Sequence, residues 1–232
     1  MAITTQNSAF RAGVIAGLPF LLIGGPFAVL FGVVATEAGL NVAQTLGFSL
    51  LVIAGASQFT AIQLMTDNAP VLIVLVAALA VNLRMAMYSA SLQPHLGSAS
   101  LGQRALAAYL NVDASYALGI QKFEEAPDWP VYDKLMYFCG TMLFMFPLWV
   151  LGTWFGAVAG DRLPDSFDLD FAMPIMFLAL TAPMVKTLAH FGAAVTSVIG
   201  ALLLAFLPSG TGLLIAAIAA MAAGAEIERR RT

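Results

Sequence analysis

Three side chains have the chemistry to bind and exchange charge where charge is costly. Arg84 lies fourteen residues past Pro70, inside an apolar run, in the stretch Val81-Asn82-Leu83-Arg84-Met85-Ala86-Met87-Tyr88-Ser89. A guanidinium cannot give up its charge in a protein. Placing one near the middle of a bilayer costs at least ~2.5–3.5 kcal/mol on insertion scales. Such a group persists where it faces the protein interior, a water-filled cavity or a carboxylate. Asp113, in Asn111-Val112-Asp113-Ala114-Ser115, is the one acidic residue deep inside a proposed span. An ionised carboxylate there either takes a proton or pairs with a cation, and Arg84 is the deep cation on offer. Two readings stay open: a structural ion pair, or a carboxyl that exchanges a proton while Arg84 holds a ligand carboxylate. They coexist if the pair opens on binding.

Tyr88 follows Arg84 by four residues and shares its helix face, whereas Asn82 is turned about 200° away. Arg84 and Tyr88 are therefore expected to line one cavity, with Asn82 bracing another helix. A second polar group sits in Gly55-Ala56-Ser57-Gln58-Phe59-Thr60. Its small residues let a ligand or a neighbouring backbone come close, so Ser57 and Gln58 are expected either to contact substrate or to bond between helices. The same stretch loosely resembles the Gly-x-Ser pattern of intramembrane serine proteases, with His190 as a distant base, but a bulky residue stands where that pattern wants glycine. No enzyme activity is expected. His95 and His190 stand near helix ends and neither has a partner at metal-ligand spacing, so no metal and no cofactor are expected. Cys139 reads as a small core residue.

The elements that must position these groups are set by composition. The 232 residues are 60% hydrophobic and 10% charged, with mean hydropathy +0.89, against about 25% charged in soluble domains. That makes an integral membrane protein. The net charge of −3 offers no basic field for nucleic acid. One cysteine excludes a disulfide framework and a zinc cluster. Arg11 precedes more than twenty apolar residues, longer than a signal-peptide core of about 7–15, so the first segment is expected to stay as a span.

Runs near the bilayer length predict an all-α helical bundle, a single membrane-embedded domain over residues 1–232. Eight spans are expected at about 12–35, 43–65, 70–92, 104–120, 134–157, 170–187, 189–207 and 211–225, with seven as the alternative. The fourth, broken at Asn111 and Asp113, and the short eighth are candidates for half-helices or re-entrant pieces. Under the positive-inside rule, Arg11, Lys122, Lys134, Lys186 and Arg229-Arg230-Arg231 face the cytoplasm, against Arg104 and Arg162 outside. Both termini are then cytoplasmic.

Proline marks two spans: Pro19 and Gly24-Gly25-Pro26-Phe27 in the first, Pro174 and Pro183 in the sixth. Proline removes a backbone donor and clashes with the carbonyl four residues back. Broken helices at corresponding places of two inverted halves point to a midplane binding site in transporters, so an inverted repeat competes here with simple kinks. Gly152, Gly156 and Gly160, with Thr153 and Ala157, read as a close-packing stripe.

Taken in order, Pro19…Gly25-Pro26-Phe27…Phe31-Gly32, Gly55-Ala56-Ser57-Gln58-Phe59, Asn82-Leu83-Arg84…Tyr88-Ser89-Ala90-Ser91-Leu92…Pro94-His95-Leu96, Asp113-Ala114-Ser115-Tyr116-Ala117-Leu118 and Phe171-Ala172-Met173-Pro174 closely resemble the AzlC family, over about residues 8–207. The resemblance implies the large subunit of a branched-chain amino acid exporter in the bacterial inner membrane, ion-gradient driven and paired with a small hydrophobic AzlD-type subunit; the alternative reading is a non-transporting membrane scaffold that needs a partner to act. Met85-Ala86-Met87 stands where the family has a histidine soon after the arginine, and a small residue follows Asp113 where an acidic one is common. From the residues themselves, beside the resemblance, Arg84 is expected to hold the substrate carboxylate with help from the backbone donors of the broken first helix at Gly24, Gly25 and Pro26, and Tyr88 and Asn82 are counted with it as substrate-binding residues. Ser57 and Gln58 meet the ammonium. Phe59, with Phe20, Phe27 and Met85 or Met87, forms the apolar pocket, and Asp113 couples to protons.

Overall fold

The computed structural model describes residues 6–160, 185, 187–207 and 211–230. Among them every regular element is helical: α1 (Gln6–Gly17), a 3-10 turn (Leu18–Phe20), α2 (Leu21–Glu37), α3 (Val42–Leu51), α4 (Gly55–Thr66), α5 (Val71–Leu96), α6 (Leu101–Tyr109), α7 (Asp113–Glu125), α8 (Val131–Met142), α9 (Met145–Gly160), α10 (Leu188–Leu203) and α11 (Thr211–Arg229). Four segments are long and apolar enough to cross a membrane: Ser8–Glu37, Val71–Leu96, Val131–Gly160 and Thr211–Arg229. The sixth expected span, with Pro174 and Pro183, lies outside the described residues, as do Arg162, Lys186 and Arg231.

The described residues form two compact units, 6–58 with 81–160, and 59–80 with the rest. In the first unit two thirty-residue segments lie side by side, α1 and α2 against α8 and α9. Each is interrupted near its middle. Pro19 lies in the 3-10 turn and Pro26 inside α2. Pro147 leaves the Leu143 carbonyl without its usual donor, which accounts for the two-residue gap between α8 and α9. Gly25 lies against Leu148, Gly152 against Ala28 and Gly160 against Thr36, so α2 and α9 run in the same direction. A side chain on Gly156 would strike the Val29 carbonyl, and one on Gly32 the Thr153 carbonyl. The small-residue stripe is thus a packing seam.

The second expected span is not one helix. A capping box between Asn41 and Gln44 starts α3, but the chain is non-helical over 52–54 before α4 begins. The fourth expected span is not one helix either. Ser89 meets Asn111 while Gly97 and Arg104 line one cavity, so α6 runs back along α5. From Asp113 the direction reverses: Arg84 pairs with Asp113, Ser91 with Tyr116, and His95 lies on Phe123. The α6–α7 hairpin therefore enters and leaves on the same side, the re-entrant form the sequence left open.

The break is held by one buried hydroxyl. Ser115 Oγ accepts from the Val112 N–H at 2.9 Å and donates to the Leu110 carbonyl at 2.8 Å, groups that have no water to turn to in hydrocarbon. A core of Leu92, Leu96, Phe123, Leu135 and Phe138, with Ala12 and Ala16 packed on it, closes this end. That corrects the position of Arg104, expected opposite Lys122 and Lys134. It lies at the same end as both, and Arg11 adjoins that core through Ala12.

In the second unit α10 and α11 form an antiparallel pair, with Gly192 against Ile227 and Gly200 against Ala216. Thr187 caps α10 by accepting from the His190 N–H at 3.2 Å.

Candidate functional site

The re-entrant hairpin brings Arg84, Tyr88 and Asp113 together, as their types and spacing suggested. Arg84 Nη1 lies 3.1 Å from Asp113 Oδ2, and the Tyr88 hydroxyl donates to Asp113 Oδ1 at 3.0 Å. Each carboxylate oxygen thus has its own donor. Asp113 is not inside a helix, as expected, but in the first turn of α7. The helix dipole and free N–H groups there favour a negative charge. The side chains are 26% and 53% exposed, so the pair is reachable rather than sealed. Arg84 Nε is buried and has no hydrogen-bond partner among the described residues. The guanidinium therefore carries a donor that those residues leave unused.

Tyr116 was not singled out for a site role, and it is the residue that fixes Tyr88. The two rings stack with centroids 4.0 Å apart and 8° between planes. The Tyr116 hydroxyl donates to Ser91 Oγ at 3.0 Å, so α5 and α7 are tied again one turn beyond the ion pair. Its signal was available: positions 88 and 91 on one helix, 113 and 116 on the other, each a single turn apart.

Ser57 and Gln58 belong to a second cluster in the same unit. Both are buried. Ser57 donates to the Ala54 carbonyl at 3.0 Å, steadying the start of α4. The Gln58 amide donates to Ser49 Oγ at 3.2 Å, and Ser49 and Thr153 share a hydrogen bond of 2.9 Å. Gln58 Oε1 and Trp149 Nε1 are buried without partners, a costly state for polar atoms. Ser49 and Thr153 were missed because each is a lone hydroxyl in an apolar run. The two breaks meet through Tyr109, whose hydroxyl donates to the Leu50 carbonyl at 2.7 Å.

The other expected contributors lie elsewhere. Gly24 and Gly25 are packed against Met145 and Leu148 of α9. Pro26 is exposed, and Phe27 stacks on Trp149 at 5.9 Å. Asn82 is half-buried and its Oδ1 has no partner. Phe59 is buried. Among the described residues, no group of three or more His, Cys, Asp and Glu side chains could hold a metal ion.

In comparisons with known proteins, the profile of the family described as AzlC protein matches residues 19–163. An uncharacterized membrane protein of Archaeoglobus fulgidus is 30% identical over 206 residues, 87% of this chain and 86% of its own. The inner membrane protein YgaZ of Escherichia coli is 26% identical over 184 residues, 75% of this chain and 72% of its own. An uncharacterized membrane protein of Helicobacter pylori is 28% identical over 203 residues, with 87% and 85% covered. No solved structure matches the chain.

Proposed function

The chain belongs to the AzlC family, and from that premise we propose that it exports branched-chain and other neutral hydrophobic amino acids. It works across the bacterial cytoplasmic membrane, driven by an ion gradient, with a small hydrophobic AzlD-type subunit as partner. The observation that carries this reading is Arg84, a reachable cation inside an apolar helix with one donor committed to Asp113 and Nε unused. A planar guanidinium binds a carboxylate through two parallel hydrogen bonds, which is the recognition an amino acid main chain calls for.

The steps follow from the partners. The substrate carboxylate displaces Asp113 from Arg84. Asp113, still ionised, keeps its bond from Tyr88 and the free N–H groups at the start of α7. After the substrate leaves on the outer face, Asp113 takes up a proton there and releases it to the cytoplasm as the empty site returns, where the ion pair closes again; a proton thus moves in as an amino acid moves out. Gln58 Oε1, a buried acceptor with no partner, is the group we assign to the substrate ammonium.

The membrane location agrees with the relatives' names, one of which is that of an inner membrane protein. For the side, Arg11, Arg104, Lys122 and Lys134 gather at one end of the first unit, which the positive-inside rule turns to the cytoplasm. The Arg229–Arg231 tail carries the same signal for the C-terminus.

The test is a dipeptide load. Cells with and without the gene are given a leucine- or valine-containing dipeptide, which internal peptidases cleave, and intracellular amino acid is followed. Cells lacking the gene should accumulate more. Equal accumulation in both strains refutes export.

A further inference from the structure

Beside the ion pair, between α5 and α6, lies a cavity of about 210 Å³ lined by Arg104, Asn111, Ser89, Leu92, Gln93 and Ala108 among others. At its α6 end stands Arg104, an exposed cation for which the structure gives no side-chain partner. At its inner end stands Asn111, only 6% exposed. Its amide donates to Ser89 Oγ at 3.4 Å, and its Oδ1 is buried with nothing to accept from. Between them the walls are mostly apolar, Leu92, Leu96, Ala107 and Ala108, with Gln93 as a polar side chain among them. A cation, an apolar wall and a buried acceptor are the complement of a carboxylate, an aliphatic side chain and an ammonium.

We propose that this cavity is a second amino acid site, where a neutral aliphatic amino acid is captured before it reaches Arg84. The proposal rests on the export reading and deepens it. Arg104 and Asn111 are seven residues apart, the second lying just past the end of α6, a rise of roughly 10 Å along the chain that is longer than an amino acid's own separation of carboxylate and ammonium. The molecule engages them in turn. Its carboxylate docks on Arg104 with the side chain along Leu92, Leu96 and Ala108. Its ammonium then meets Asn111 Oδ1 as it moves inward. Asn111 is two residues before Asp113, and Ser89 follows Tyr88, so the inner end of the cavity adjoins the ion pair. Arg104 lies at the end that carries Arg11, Lys122 and Lys134, the side from which an exporter loads.

The experiment reads the cavity directly. Cys139 is replaced by serine and Ala108→Cys is introduced, with the AzlD-type subunit coexpressed. Labelling of position 108 by a maleimide is timed in inside-out vesicles with and without leucine. Leucine should slow labelling, and leucinol, which lacks the carboxylate, should not. Arg104→Gln should raise the half-protecting leucine concentration about tenfold or more, as loss of a charged hydrogen-bond partner does, whereas Arg104→Lys retains most of the protection. If the Ala108→Cys change itself disturbs the cavity, radiolabelled leucine binding to purified Arg84→Gln protein, in which the ion-pair site is disabled, with and without Arg104→Gln gives the same comparison. Equal protection by leucinol, or undiminished protection or binding in Arg104→Gln, overturns the proposal. The dipeptide load separates the two failures. Export without protection removes this site and leaves the function, whereas protection without export leaves the site and removes the function.

Discussion

Asp113→Asn separates a carboxylate that works from one that only holds α7 in place. Asparagine keeps the shape and an oxygen for the Tyr88 hydroxyl, and removes the charge facing Arg84. The pair links side chains 26% and 53% exposed, and where a water-filled cavity reaches such a pair it contributes about 0.2–1 kcal/mol. Loss of a negative charge from the first turn of α7 adds about 0.3–1 kcal/mol. The sum, roughly 0.5–2 kcal/mol, lowers the melting temperature by only a few degrees, on the usual scale of ~2–4 °C per kcal/mol for a chain of this size. A sealed pair that was broken would cost about 3–5 kcal/mol, roughly 6–20 °C on the same scale. The assay has two arms: thermal melting of the purified protein in detergent, and leucine efflux from dipeptide-loaded cells under imposed pH gradients. A small drop in melting temperature with efflux that no longer responds to the gradient is the expected result. A large drop in melting temperature, with efflux per folded molecule still gradient-dependent, refutes proton coupling at Asp113 and leaves a structural ion pair.

Three other perturbations test separate links. Arg84→Lys keeps the charge and loses the fork, so efflux should fall about tenfold or more as one charged hydrogen bond is forfeited; unaltered efflux excludes bidentate binding. Ser115→Ala leaves the Val112 N–H and the Leu110 carbonyl unserved, which should cost about 1–3 kcal/mol in a melting experiment; unchanged melting means the hairpin tip is held by other bonds. Gly156→Leu puts a side chain into the Val29 carbonyl, and the membrane fraction should contain little folded protein, whereas Leu151→Ala on the exposed face of α9 should accumulate normally.

Much of the site was legible because charge in an apolar run has few permitted explanations. Arg84 demanded a partner, and only Asp113 was deep enough to be one. The i, i+4 spacing put Tyr88 on the same face, and the break at Asn111 was written in polar residues. The break over 52–54 was not legible. Val52-Ile53-Ala54 contains no proline, glycine or polar residue, and what ends α3 there is tertiary: the Ser49–Thr153 bond and the Tyr109 contact to Leu50. Helix direction was hidden for a related reason. Hydropathy measures how apolar a segment is, not whether it crosses, so α6 and α7 together imitated a span. Only the pairing of residues 84, 91 and 95 with 113, 116 and 123 reveals the reversal.

That reversal explains why an arginine can stand in α5 at all. A straight fourth helix would have presented a wall of satisfied backbone, with nothing at mid-depth to stabilise a cation. Turning the chain back at residues 110–112 places a helix start there instead, with its free N–H groups and a carboxylate at the first position. The turn exposes backbone groups that hydrocarbon cannot solvate, and Ser115 serves them without using charge. Asn111, on the same turn, fastens to Ser89 and keeps one acceptor free. The break, its cap and the ion pair are therefore interdependent: remove the break and Asp113 has no favourable position, remove Asp113 and Arg84 has no counter-charge. A site assembled this way can open locally, because separating Arg84 from Asp113 costs one partly exposed ion pair rather than a helix.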